Sequence, residues 1–361
     1  MRLLIFNILI CCFVITYTSF GQSIPKELIP TDVRQISRVT GKSEANELLP
    51  NPNTTDKHYD VGGTDLGIAW DMGNGKTGFF FGDTYGRDFK SVPGGGPGKA
   101  GNWRSNVLGI STDKNLNDGL TFDTMIAHEL IPSPHITNGT GSHTAIPTAA
   151  INIKGTDYVH YMDVRKWGGP GSWTTNYSGI FQSKDQGLNW IKCPTVRFSD
   201  TSNFAQIAYA KSEGFIFMLG TPAGRSGAAY LARFKEEDIL QQPKYEYWNK
   251  WHGWLKEAET LATPIIEGPI GEASLLYNLK YKRWVVTYMN EKEGTLVMRD
   301  ALEVSGIWSS EKILANARDY PGFYGAFMIP ASSRGNEIYF NMSMWFPYNV
   351  FLMQATLKFA D

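Results

Sequence analysis

The stretch SKDQGLNW, residues 183–190, decides the fold. It has the form S-x-D-x-G-x-x-W. Asp185 and Gly187 shape a hairpin, and Trp190 packs between neighbouring sheets. A degenerate copy starts at Ser111-Thr112-Asp113. Outward from this word, apolar runs of strand length recur along the chain. Examples are Leu66–Trp70, Gly78–Gly82, Ala145–Ile151, Tyr158–Val164, Phe215–Leu219, Trp284–Met289 and Glu337–Met342. Turn signals such as Gly73-Asn74-Gly75, Lys154-Gly155, Glu213-Gly214 and Glu293-Gly294 separate many of them. The one convincing helical stretch is Lys235–Leu240. The chain reads as all-β.

The strands group into units whose first strands start near residues 64, 144, 204, 272 and 323. Each is followed by an apolar second strand, a loop and a third strand. Fourth strands are weaker, with Leu188–Ile191 and Gly306–Ser309 as examples. The Ser183–Trp190 word has the form of an Asp-box, a structural marker of four-stranded propeller blades that carries no catalytic information. Five such units predict a five-bladed β-propeller. The last unit runs out of chain near Lys358, so Val33–Thr40 is expected to supply its outer strand and close the ring. A β-sandwich is the alternative. The Gly/Pro-rich segment 91–101 reads as a long loop within one domain, 22–361.

Residues 1–21 read as a signal peptide. Arg2 precedes an apolar run from Leu3 to Tyr17, and Ser19-Phe20-Gly21 places small residues before a cut. The run is too short for a membrane span. Ile10 before Cys11 argues against a lipoprotein site. Removal of this segment leaves one cysteine, Cys193, and no internal disulfide. That pattern fits export to a bacterial periplasm or cell surface.

The 361 residues include 34 Lys plus Arg and 35 Asp plus Glu, a formal net charge of −1. This argues against nucleic-acid binding. A hydrophobic fraction of 42% with 37 Gly and 18 Pro argues against disorder and against a long helical bundle. Eleven Trp and 17 Tyr exceed what a core needs. They suit a cleft in which flat rings stack on sugars. The histidines show no H-E-x-x-H or comparable spacing, so no metal is expected and no cofactor is implied. A monomer is expected.

Propeller topology converts spacing into a site. First-strand starts, second-strand ends and second-to-third loops share one face. That rule gathers Asp65, Asp83, Trp103, Arg104 and Asn106 from unit one. It gathers Asp163, Arg165, Trp167 and Asn176 from unit two, Glu272 from unit four, and Tyr324, Trp345 and Asn349 from unit five. Amides and arginines that fix hydroxyls beside stacking rings are what a glycan cleft requires. Asp65, in GGTDLG, enters an apolar strand. Asp83, in FFFGDT, leaves a very apolar one. Burial raises a carboxylate's pKa and suits it to proton donation, and glycosidic cleavage commonly uses two carboxyl groups. Asp83, on the more apolar strand, is the expected acid and Asp65 the base, which implies inversion. A separation of about 6.5–9.5 Å would favour inversion, and one of about 5–5.5 Å retention with Asp65 as nucleophile. The competing reading has both aspartates capping turns. Glu272 is a third acid, a hydroxyl ligand or a glutamate paired with an arginine. Asp163 and Arg165 face one side, as an internal ion pair or as substrate contacts.

The motif string resembles glycoside hydrolase family 183. The matching words are GGTDLG (62–67), FFGDT (80–84), WRSNVLG (103–109), HYMDVRKWGGPGSW (160–173), NYSG (176–179), GTPAGRSG (220–227), GPIGEASLLYN (268–278), YPGFYGAFM (320–328) and MSMWFPYNVFLM (342–353). The resemblance implies an endo-D-arabinofuranase on a five-bladed propeller, acting on the D-arabinan of mycobacterial arabinogalactan and lipoarabinomannan. It places the essential acids on Asp65 and Asp83. Asp163 and Ala326-Phe327-Met328-Ile329 depart from the family pattern, which bears on the subsites. Rivals are another glycanase, such as an L-arabinanase, and a non-catalytic glycan-binding propeller. A sialidase would need an arginine cluster that is not evident.

Overall fold

A computed structural model of the chain describes residues 26–97 and 101–360. The expected signal peptide, 1–21, lies outside the described residues. Twenty-one strands form five antiparallel sheets, the blades of a five-bladed β-propeller. Innermost strands begin at Leu66, Thr144, Gln206, Ser274 and Phe323, within two residues of the expected positions. Each pairs with the strand that follows it, so one face collects first-strand starts and second-strand ends.

The Asp-box turn forms as its letters require. Asp185 Oδ1 accepts the Ser183 hydroxyl at 2.8 Å and the Asn189 N–H at 2.9 Å. Gly187 has φ +86° and donates to Ser183 Oγ at 2.9 Å. The Trp190 ring then meets Phe80 of blade one edge-on, with centroids 5.1 Å apart. Trp70 of blade one donates to Asp157 of blade two at 2.9 Å. The degenerate copy keeps part of this logic. Asp113 Oδ2 accepts the Thr121 N–H at 3.0 Å and its hydroxyl at 2.8 Å.

A second device joins successive blades. Short polar side chains bond to the backbone where the next innermost strand starts. Asn106 donates to the Ala145 carbonyl (3.0 Å), Ser178 to that of Phe204 (2.7 Å) and Thr287 to that of Ala326 (2.5 Å). Across the closing seam, the Leu66 N–H donates to Ser343 Oγ at 2.8 Å.

The N-terminal strand closes the ring as expected, over Leu28–Arg38 rather than Val33–Thr40. It pairs antiparallel with Asn349–Phe359, from Leu28 opposite Phe359 to Arg38 opposite Phe351. Three expectations shift. Lys235–Leu240 yields only a 3₁₀ turn at Glu236–Asp238, too short a segment to repay helix nucleation. The fourth strand of blade two is Ile191–Ser199, because Leu188–Trp190 belong to the Asp-box turn. That of blade four is Lys312–Asn316, beyond Gly306–Ser309. Blade three gains a fifth strand, Gly253–Lys256, which places Trp248 against Trp254 at the blade edge.

Arg38 secures the closure. It is 1% exposed. Its Nη2 meets Glu47 at 2.6 Å, its Nη1 meets Asn349 Oδ1 at 2.7 Å, and it lies over the Phe351 ring. Truncation strands a largely buried carboxylate. Arg38→Ala is expected to cost about 3–5 kcal/mol, read as a lowered denaturation midpoint with an unchanged slope.

Candidate active site

The two aspartates occupy the floor of a cavity of about 610 Å³ at the face where first-strand starts gather. The sequence around each explains its placement. Phe79, Phe80 and Phe81 are fully buried because the second strand of blade one is covered on both faces. Asp83 emerges where that strand ends. Asp65 is turned toward it by a bulge: Leu66 (φ +70°) and Gly67 (φ +77°) break the register, so that Leu66 faces Phe81 and Ile68 faces Phe80. Leu66 in this region is strained, and such strain persists only where the surroundings enforce it. Gly82 completes the fit, because a Cβ at that position would collide with Asp65 Oδ1. The words GGTDLG and FGDT are therefore halves of one steric arrangement.

The two carboxyl groups differ in their donors. Asp83 Oδ1 accepts the Trp103 indole N–H at 2.8 Å and the Thr144 hydroxyl at 2.6 Å. Asp65 Oδ2 accepts the Tyr324 hydroxyl at 2.9 Å, and its Oδ1 has no partner. Burial pushes both up, Asp65 to about 7 and Asp83 to about 6. The Asp83 charge raises Asp65 further, whereas Thr144 and Trp103 restrain Asp83. Each donor stabilises the ionised form of the carboxylate it serves.

Beside the pair stands an ionic cluster. Arg225 grips Glu272 with Nε and Nη2, at 3.0 and 2.8 Å to Oε1, and reaches Glu291 with Nη1 at 3.1 Å. Its guanidinium lies 5.2 Å from the Tyr324 ring centre. Glu272 lines the cavity as an arginine-paired glutamate. Trp167 and Trp345 are 39% and 41% exposed, so their faces are open to a ligand. Trp345 is braced by the Gly-rich loop, donating to the Gly94 carbonyl at 2.9 Å and accepting the Gly96 N–H at 2.7 Å.

Of the expected site residues, Asp65, Asp83, Glu272, Trp167, Tyr324 and Trp345 line the cavity. Trp103 stands behind Asp83 and touches it. Others belong to the scaffold. Asn106 is fully buried and spends its amide on the Ile131 and Ala145 carbonyls and the Leu130 and Ile131 N–H groups. Arg104 holds the Ala127 and Asp60 carbonyls at 2.6 and 2.7 Å. Asn349 accepts from Arg38 and donates to the Gly62 carbonyl at 3.1 Å. Most of their polar groups are engaged within the scaffold, and none of the three lines the cavity. Asp163 accepts the Asn176 amide at 2.7 Å, and neither lines the cavity. Among the described residues Arg165 forms no ion pair with Asp163 and does not line the cavity. Sequence reasoning missed Thr144 and Glu291. The same topological rule places Thr144 at a first-strand start and could have found it. Among the described residues no cluster of three or more His, Cys, Asp or Glu is arranged to hold a metal ion.

Fold and site together define a five-bladed propeller with a carboxyl pair in its mouth. The chain belongs to the family described as Domain of unknown function (DUF4185), whose model matches residues 50–354. It is similar to Notoamide biosynthesis cluster protein J of Aspergillus sp. (strain MF297-2), 26% identical over 344 residues, covering 88% of this chain and 89% of that one. In fold it resembles Zg3597, a family 117 glycoside hydrolase of Zobellia galactanivorans, with a TM-score of 0.53 over 92% of each chain at 13% identity. A solved chain from Bacteroides ovatus gives a TM-score of 0.57 at 13% identity, covering 82% of this chain and 86% of that one.

The raised carboxyls have a stability signature. An unfolded aspartate titrates near 4, so between about 4 and about 7 the folded chain binds more protons than the unfolded one. Stability therefore falls as pH rises through that window. Asp65→Asn removes the cost of a buried charge. It is expected to raise Tm by several degrees at pH 8, with the gain vanishing near pH 4. Calorimetry at both pH values checks this.

Proposed function

We propose that the protein is an exported, monomeric endo-acting glycoside hydrolase that cleaves internal α-D-arabinofuranosyl linkages of D-arabinan. The observation that carries the hydrolase reading is the carboxyl pair itself. Two aspartates with raised and unequal proton affinity share the floor of one cavity, with exposed tryptophan faces on its rim. The choice of D-arabinan rests on the GGTDLG, FGDT and GPIGEASLLYN words and their likeness to glycoside hydrolase family 183. Signal-like residues 1–21 support export.

Burial holds both carboxyls above the ordinary aspartate range, so one can keep a proton while the other is ionised. Asp65 then serves as general acid to the leaving oxygen. Asp83, ionised and oriented by Trp103 and Thr144, serves as general base to water. This exchanges the roles expected from strand apolarity and keeps the inverting outcome. Tyr324 holds the acid, and Arg225 holds Glu272 beside it.

Incubation with mycobacterial arabinogalactan and, in parallel, plant L-arabinan tests the reading. Oligosaccharides of mixed length from the first alone are expected. Release from L-arabinan alone makes it a different glycanase, and binding without release makes it a glycan-binding propeller. Asp65→Asn and Asp83→Asn are each expected to fold and to lose about 10²–10⁴-fold in turnover. The profile of kcat/KM against pH should be bell-shaped. Its acid limb lies near 6, as Asp83 takes a proton, and its alkaline limb near 7, as Asp65 loses one.

A further inference from the structure

Behind Asp83 stands a row of side chains that does not line the cavity. Trp103, whose indole N–H donates to Asp83, meets the edge of the His135 ring, with centroids 4.1 Å apart and planes at 67°. His135 Nε2 lies 3.0 Å from Glu129 Oε1. That carboxylate oxygen also accepts the Ser105 N–H at 2.7 Å, two residues beyond Trp103. His135 holds a left-handed backbone, φ +54°, in a loop tied by the Ile136 N–H to the Ser142 carbonyl at 2.8 Å. A non-glycine residue in that region is costly, so its neighbours enforce the placement.

We propose that Glu129, His135 and Trp103 form a positioning relay that holds the Trp103 N–H on the Asp83 carboxylate. The proposal rests on the reading of Asp83 as general base. Glu129 anchors the imidazole, the imidazole blocks the indole from swinging away, and the indole aims its N–H at Asp83. In its protonated form His135 also sets a positive charge near Asp83, with the Glu129 charge opposing it from beyond.

The ionisable groups around the relay have separate roles. His143 also edges Trp103, at 5.4 Å, but burial and the nearby His135 hold its proton affinity below the ordinary histidine value. Tyr85 lies near both aspartates, and burial first, then both carboxylates, raise the phenol's affinity. Lys166 approaches the His135 loop at Gly139 and is exposed.

The test reads Asp83 directly. Carboxyl carbon NMR follows its titration, the signal being assigned by its loss in Asp83→Asn. Trp103→Phe keeps a ring and deletes the hydrogen bond. His135→Gln removes the imidazole that braces the indole. Each is expected to move the Asp83 titration upward by about half a unit or more. The acid limb of kcat/KM should move with it, with kcat affected more than KM. Circular dichroism establishes folding first, and Trp103→Phe decides if His135→Gln unfolds. An unmoved Asp83 titration in the folded variants overturns the relay, even where activity drops. The NMR arm needs no substrate. If the wild type hydrolyses nothing, the hydrolase reading falls while the titration still judges the relay.

Discussion

Ring closure is the constraint on which the rest depends. The Phe323–Met328, Glu337–Met344 and Asn349–Phe359 strands lack an outer partner until Leu28–Arg38 joins them. An open ring would leave a sheet edge unpaired and would part blade five from blade one. The site lies across that seam. Asp65 belongs to blade one, and the hydroxyl that holds it belongs to Tyr324 of blade five. The bulge that aims Asp65 is pinned from the same side, by Ser343 Oγ on the Leu66 N–H and by Asn341 on the Gly67 carbonyl at 2.7 Å. A strand far from the cavity thus determines whether its acid is in place.

Much of this was legible in the sequence because its carriers are local. Apolar runs of strand length and Gly-containing turns mark strands and hairpins, and Ser183–Trp190 marks one hairpin outright. Once the blade repeat is accepted, strand polarity assigns Asp65, Asp83, Trp103, Tyr324 and Trp345 to one face without further information. Blade one's acids were legible for a second reason. A carboxylate at the end of three consecutive phenylalanines is desolvated on one side, which marks it beside the turn-capping reading.

The rest depended on contacts between residues distant in sequence. Asn106, Arg104 and Asn349 sit at the same face as the aspartates and carry the right chemistry for sugar hydroxyls. Nothing in their neighbourhood tells that Ile131, Ala127 or Gly62 would consume it. A mouth built from five blades needs polar groups to satisfy the backbone where strands bulge and loops cross, because buried amides left unpaired cost about 1–3 kcal/mol each. Topology therefore over-collects: it finds the residues near the mouth and cannot separate those that face inward from those that staple the rim. The fourth strands failed for a different reason. Outer strands such as Ile191–Ser199 are half exposed and weakly patterned, so the Asp-box turn and the strand after it blur together.

The order of proton affinity within the pair carries the same lesson into chemistry. Strand apolarity measures desolvation, which acts on both carboxyls. What distinguishes them is the kind of donor and the charges around each. Asp83 has an indole and a hydroxyl, while Asp65 has the Tyr324 and Tyr348 phenols and feels the Asp83 and Glu272 charges. Arg225 then limits the outcome. By binding Glu272 through two nitrogens it offsets a negative charge that would otherwise drive Asp65 higher, and its guanidinium over the Tyr324 ring steadies the phenol that restrains it. An arginine with no hydrogen bond to either aspartate thus acts on Asp65 through Glu272 and Tyr324.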